Sequence, residues 1–345
     1  MIKKFHYFLV VFFTSLLLPC VTFGASPRNV IFLIGDGMGF EQVRAAGIYE
    51  NGVEGTLSFE FFPYQGEVTT YSADSSVTDS AAAATAIATA NKVNNGVISL
   101  AIPGDSSELY TMLEYFQDLG MSTGLVSTTY ITHATPAAFA AHETSRNYLD
   151  QIALDYLQQT RPNILFGGGG NGMSEQAAYN AGYTVIIDFA GLSGLNTSSE
   201  SMVSGQFGLT LFPYEYDPGS GYDTLPHLSE MTVTALDILD NDPGGFFLMV
   251  EGGLIDYAGH DNHIERNIFE TIEFSRTVQS VLEWAGSRTD TLILVTADHE
   301  TGGLAVLQNN GQGGFPTVSW STGGHTGANV PVYAWGKMQI WSPVY

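Results

Sequence analysis

Short apolar runs and longer patterns of helical period alternate along this 345-residue chain. Strands are predicted at Asn29–Ile34, Ser122–Ser127, Asn163–Phe166, Gly245–Val250 and Thr291–Thr296, each running into Gly, Asp, Glu or Thr. Between them, Ser80–Asn91, Leu109–Leu119, Tyr148–Gln159, Leu228–Asp240 and Ile264–Trp284 carry helical patterns. Strands that are apolar throughout, interleaved with helices, predict an α/β three-layer sandwich. Its central sheet should be mostly parallel and covered on both faces. A further strand is expected at Val330–Trp335, and residues 167–224, rich in Gly, Ser and Tyr, read as a loop-rich excursion within one domain.

The N-terminus follows a different pattern. Lys3 and Lys4 precede an apolar stretch from Tyr7 to Leu18, then Pro19 and small residues at Gly24–Ser26. This is the layout of a signal peptide cleaved near Gly24 or Ala25. It is too short for a membrane anchor, which needs about 20 apolar residues. Export to a periplasmic or extracellular location is therefore expected, with residues 26–345 as one domain. Cys20, the only cysteine, leaves with that segment, so disulfides, zinc–thiolate sites and cysteine nucleophiles are excluded from the mature chain. Removing Lys3 and Lys4 reduces the basic count from 11 to 9 against 35 acidic residues, a net charge of −26 (9 − 35). Binding to a nucleic-acid backbone needs clustered Lys and Arg, and that balance argues against it.

Candidate chemistry gathers just past the strand ends. The first strand runs into Gly35-Asp36-Gly37-Met38-Gly39, and Gly245–Val250 runs into Glu251, with Asp256 and His260 shortly after. Thr291–Thr296 runs into Ala297-Asp298-His299-Glu300. In open α/β sheets, ligands bind beyond the carboxyl ends of the strands, so three strands deliver carboxylates and imidazoles to one edge. Asp256 and His260 share a face at i, i+4 spacing, which fits either a shared ion or a simple Asp–His hydrogen bond. A mixed Asp/His set suits zinc, and an all-oxygen subset suits magnesium.

Ser80 opens an Ala-rich helix behind Thr78 and Asp79, at the end where backbone N–H groups meet anions. That segment alone is compatible with a nucleophile or with a residue that merely helps to cap the helix. Arg146 could grip two phosphate oxygens or form a surface ion pair. Gly167-Gly168-Gly169-Gly170 lacks the Lys-Ser/Thr of a nucleotide loop and reads as a tight turn.

Six segments in this order resemble the alkaline phosphatase family. They are Ile34–Gly39, Thr78–Ala82, His133–Pro136, Val250-Glu251-Gly252-Gly253 through His260, Thr296–His299 and Gly323–Gly327. The resemblance spans roughly residues 29–336, nearly the whole mature chain. The resemblance implies a phosphate-monoester hydrolase of broad substrate range and alkaline optimum, working through a phosphoserine on Ser80. It implies one zinc on Asp256, His260 and His325, and a second on Asp36, Asp298 and His299. A magnesium would lie on Asp36, Thr135 and Glu251 with His133 close by. Arg146 would clamp the phosphoryl group, and the active unit would be a homodimer. Tyr257 stands where relatives vary among Lys, His and aromatic residues, which removes a second cationic grip and leaves Tyr257 beside the site. Many relatives also carry a further segment after the strand at Val330–Trp335, so the chain reads as a minimal or a truncated form.

The competing readings are another hydrolase of the superfamily, or a binding protein that keeps the metal shell without turnover. A sulfatase would need Cys/Ser-x-Pro-x-Arg where Ser80-Ala81-Ala82-Ala83 stands. Diesterases generally dispense with the arginine and the magnesium ligands.

Overall fold

A computed structural model describes residues 27–219 and 221–336 of the chain; the segment read as a signal peptide lies outside the described residues. In chain order the strands are β1 (Asn29–Gly35), β2 (Tyr64–Val68), β3 (Ser122–Tyr130), β4 (Ile164–Gly168), β5 (Thr184–Ile186), β6 (Val203–Gln206), β7 (Phe246–Gly252) and β8 (Thr291–Thr296). Then come the short β9 (Glu300–Thr301), β10 (Leu304–Gln308), β11 (Thr317–Trp320), β12 (His325–Thr326) and finally β13 (Val330–Gly336). The helices are α1 (Phe40–Asn51), α2 (Ser80–Thr89), α3 (Met112–Asp118), α4 (Ala134–Ala140), α5 (Leu149–Asp155), α6 (Glu175–Asn180), α7 (Phe189–Ser193), α8 (Leu228–Leu239), α9 (Leu254–His260) and α10 (Ile264–Ala285).

Nine strands make one sheet in the order β2-β13-β8-β1-β7-β3-β4-β6-β5. Only β13 runs against its neighbours. Alternation along β1 shows why the sheet is buried on both faces. Ile31 and Leu33 point into a core shared with α1, α8, α9 and α10, while Val30, Phe32 and Ile34 point into one shared with α2, α3, α4 and α5. This is the expected three-layer arrangement, with helix layers on both sides of a mostly parallel sheet.

The register places the chemistry. β1 lies between β7 and β8, with Ile34 opposite both Glu251 and Thr296, so these three strands end level. β3 joins the same row, with Ser127 opposite Glu251. The loops leaving these strands are therefore neighbours, although 261 residues separate Gly37 from Asp298.

Several boundaries differ from the predicted ones for local reasons. The helix expected from Leu109 begins at Met112, because Thr111 and Glu114 form a reciprocal cap. Glu114 N donates to Thr111 Oγ1 at 3.2 Å, and Thr111 N returns a bond to the Glu114 carboxylate at 2.8 Å. The helix from Ser80 stops at Thr89, because Ala90 turns left-handed (φ 58°). The pattern at Tyr148–Gln159 divides into α5 and a π-turn over Tyr156–Thr160. Helix α1 was not expected. Residues 167–224 contribute α6, β5, α7 and β6, and its two strands complete one edge of the sheet. The Gly run is a close backbone crossing: a Cβ on Gly168 would lie 1.6 Å from the Thr210 carbonyl oxygen.

Candidate active site

Ser80 is the first residue of α2 and is buried. The cap is made by Asp79, whose Oδ1 accepts from Ala82 N at 3.0 Å. The Ser80 hydroxyl is thus not the capping group, and its Oγ lies 3.4 Å from His299 Nε2. Asp79 also receives Gly96 N (3.0 Å) and Arg146 Nη1 (3.1 Å) on its second oxygen. One carboxylate therefore ties the start of α2 to the guanidinium. Arg146 Nη2 lies 3.0 Å from His133 Nε2.

Imidazoles and carboxylates converge beyond β1, β7 and β8. His299 Nε2 is 3.2 Å from Asp298 Oδ2 and 3.6 Å from Asp36 Oδ1. Asp256 reaches His260 Nε2 at 3.3 Å and His325 Nε2 at 3.6 Å, and the two imidazole nitrogens are 3.1 Å apart. The His299 and His325 rings stack at 3.6 Å. Of four sets of potential ligand atoms lying within 4.8 Å of one another among the described residues, three are here: Asp256–His299–His325, Asp36–Asp298–His299 and Asp36–His133–Glu251. The sets share Asp36 and His299. Thr135 sits at the start of α4, fully buried. Tyr257 is half-buried, its ring 6.2 Å from that of His133. Ser80, Arg146 and the carboxylates and imidazoles singled out in the sequence are thereby brought into one neighbourhood.

Satisfaction of the polar atoms points to cations. Among the described residues, both Asp36 oxygens, Asp298 Oδ2, Glu251 Oε1, Thr135 Oγ1 and His133 Nδ1 are buried without a hydrogen-bond partner. Gln42 Oε1 and Asn267 Oδ1 are the other such side-chain atoms among the described residues; buried polar atoms are usually paired, and Asp36, Asp298, Glu251 and His133 fall in overlapping groups of potential ligands. The donor set of carboxylates, imidazoles and a hydroxyl is one that zinc and magnesium accept.

The protonation tendencies agree. Burial, followed by the charges of Asp298, Asp256 and Glu251, holds the Asp36 carboxyl well above its ordinary range. Burial and then Asp256 push Asp298 up to about 7. Burial would also raise Asp256, but a hydrogen bond from His260 and the charges of His299, His260 and His325 outweigh it and hold that carboxyl low. Burial pushes His299 down to about 4, which leaves its ring neutral with a free lone pair, as a metal ligand requires. His260 moves the other way, to about 9, through its hydrogen bond to Asp256. Asp36 and Asp298, raised by burial and by neighbouring acids, would be relieved by positive charge supplied between them.

Supporting contacts surround this shell. Glu251 Oε2 accepts from the Ser127 hydroxyl and, at 3.2 Å, from Thr129 Oγ1. Thr301 Oγ1 donates to Asp256. Gly37 N donates to Asp298 Oδ1 at 3.1 Å. Gly37 turns at φ +72° with its Cα against Asp256, where a Cβ would lie 2.8 Å from the Asp256 Cα. Ser127, Thr129, Thr301 and Glu300 carry no motif that marks a role in the sequence. Their only signal was proximity to strand ends.

A family model described as alkaline phosphatase matches residues 27–184 and 168–315. Alkaline phosphatase 3 of Bacillus subtilis is 37% identical over 297 residues, covering 81% of this chain and 62% of that protein. Streptomycin-6-phosphate phosphatase of Streptomyces griseus is 33% identical, covering 91% of this chain and 86% of that protein. The chain thus spans about 62% of the length of one curated relative and 86% of the other. Among solved structures, the cold-active alkaline phosphatase of the psychrophile Shewanella sp. superimposes with a TM-score of 0.80 at 30% identity, covering 89% of this chain and 94% of that one. The enzyme of the Antarctic bacterium TAB5 gives 0.78 at 30% identity, covering 90% and 91%. The matched span carries the strand-end motifs and the Ser80 helix, and the chain belongs to the alkaline phosphatase family.

Proposed function

We propose that the chain hydrolyses phosphate monoesters through a phosphoserine on Ser80, supported by two zinc ions and one magnesium. Asp256, His260 and His325 would hold one zinc, and Asp36, Asp298 and His299 the second. Asp36, Thr135 and Glu251 would hold magnesium, with His133 alongside. Zinc ions at those positions would supply Lewis acidity to the attacking and leaving oxygens. The observation that carries this reading is the set of buried, unpartnered ligand atoms around the Ser80–His299 contact.

The chain's own groups account for the remaining steps. Ser80 Oγ forms the new bond to phosphorus as the bond to the leaving alcohol breaks, and water then cleaves the phosphoserine to inorganic phosphate. Arg146, fixed by Asp79, supplies two N–H donors to the equatorial oxygens. The positive end of α2 adds to the same field. Tyr257 supplies no charge there.

Residues 26–345 would act as one catalytic domain after export and removal of residues 1–25, in the periplasm or outside the cell, as a homodimer with an alkaline optimum. The TAB5 enzyme is described with magnesium in its M3 site when one histidine is replaced by glutamate, which fits a magnesium position in this shell. A relative named for streptomycin 6-phosphate indicates that the ester can differ among relatives, and a broad range for this chain is part of the proposal. The test is turnover of an aryl phosphate against a bis-aryl phosphate. Preference for the monoester is expected, and preference for the diester would defeat the proposal.

A further inference from the structure

Glu300 directly follows His299 and is buried, and among the described residues no Arg, Lys or His pairs with it. Its carboxylate is fully used by neutral donors. Oε1 accepts from Gln42 Nε2 at 2.8 Å and Leu304 N at 3.2 Å. Oε2 accepts from Thr326 Oγ1 at 2.5 Å and Gly303 N at 3.2 Å. An ionised carboxylate offers about four lone-pair positions, so these four bonds saturate it.

Each donor belongs to a segment that carries a ligand. Gln42 lies in the first turn of α1, just beyond Asp36, and its amide also donates to Thr301 O at 2.8 Å. The turn between them packs directly on the Glu300 side chain, since a Cβ on Gly39 would lie 2.4 Å from Glu300 Cγ. Thr326 follows His325, and β12 pairs with β9 so that Thr326 opposes Glu300 and His325 opposes Thr301. Gly303 and Leu304 close the loop that leaves His299. One carboxylate thus joins the segments of Asp36, His299 and His325, which are far apart in sequence.

We propose that Glu300 is a positioning residue that sets the spacing of His325 against His299 and Asp36, and so pre-organises the two zinc positions. This rests on the reading of those residues as metal ligands. A two-strand ladder as short as β9–β12 has little rigidity of its own, whereas the Glu300–Thr326 bond fixes the distance across it. An amide cannot replace the carboxylate. In one orientation its NH2 faces Gln42 Nε2 and Leu304 N; in the other it faces Gly303 N. Either way an N–H donor loses its acceptor.

The test is titration of the chelated full chain with Co(II), read by the absorption of the bound ion and by calorimetry. Glu300→Gln should weaken binding by about 10- to 100-fold, the range seen when outer contacts of a metal site are lost, and should alter the cobalt spectrum. Thr326→Val, which removes only the hydroxyl donor, should affect one of the two binding events more than the other. Glu114→Gln is the control, since Glu114 caps α3 by accepting from Thr111 N at 2.8 Å and lies on none of the segments that carry ligands. It should leave affinity and spectrum unchanged. Wild-type affinity and spectrum in both Glu300→Gln and Thr326→Val would overturn the inference alone. A wild-type chain that takes up no Co(II) would overturn it together with the ligand assignment beneath it.

Discussion

Replacing Asp298 by Asn should make the metal-free protein more stable, by an amount that depends on pH. Asp298 is fully buried, and its carboxyl is raised from the ordinary 3.8 to about 7 by burial and the charge of Asp256. A carboxyl raised on folding keeps its proton in the folded state over a window in which the unfolded chain has released it. Stability therefore falls as pH rises from about 4 to about 7, and the full penalty persists above that. At about 1.4 kcal/mol per pH unit, the penalty is about 4 kcal/mol. Asparagine removes the titration with little structural cost. Its Oδ1 can still accept from Gly37 N (3.1 Å) and His299 N (2.8 Å), and its Nδ2 takes the place of the unpartnered Oδ2. Denaturant unfolding of chelated wild type and Asp298→Asn from pH 4 to 8 measures the difference. The two should coincide near pH 4, and the variant should lead by up to about 4 kcal/mol at pH 7 and above. Zinc should reverse the order, because it stabilises only a chain that can hold it. Parallel pH profiles would refute the assignment of uncompensated negative charge to Asp298.

Further consequences can be checked separately. Gly37→Ala forces a Cβ into the left-handed turn, 2.8 Å from the Asp256 Cα and Thr301 Oγ1. A loss of about 2–5 kcal/mol in unfolding free energy is expected, with metal affinity falling in parallel. Arg146→Ala should lower kcat/KM by about 10- to 100-fold, the worth of hydrogen bonds to a charged group, and Arg146→Lys should restore only part of it, since a lysine cannot donate two parallel bonds. Chelation should abolish turnover, and zinc with magnesium should restore it beyond what magnesium alone achieves.

Much of the molecule is legible along the chain because its sheet is buried on both faces. Continuous apolar runs such as Thr291–Thr296 and Phe246–Val250 stand out, and residues just beyond them must reach the same edge. That logic places Asp36, Glu251, Asp298 and His299 together from the sequence alone. It leaves Ser80 undecided, since a serine at a helix start suits capping equally well. The Asp79 carboxylate resolves the capping, because it bonds Ala82 N and leaves Ser80 free to face His299. Other features have no local signature. Helix α1 mixes Gln, Arg, Gly and Glu among its apolar positions, so its burial against α10 is a tertiary outcome. Strands β5 and β6 are short and sit in polar sequence, so they form only because β4 offers an open edge. Glu300 reads as one more acid, since Gln42 lies 258 residues away and the bond exists only once the sheet is assembled.

The claim that Ser80 forms the covalent intermediate is tested most directly by an acid quench. The chain would be mixed with an excess of aryl phosphate, stopped in acid during turnover, digested and examined by mass spectrometry. One phosphoryl group on the peptide bearing Ser80 is the expected result, absent from Ser80→Ala, with turnover of that variant lost. A phosphoryl group on another residue, or unimpaired turnover by Ser80→Ala, would contradict it.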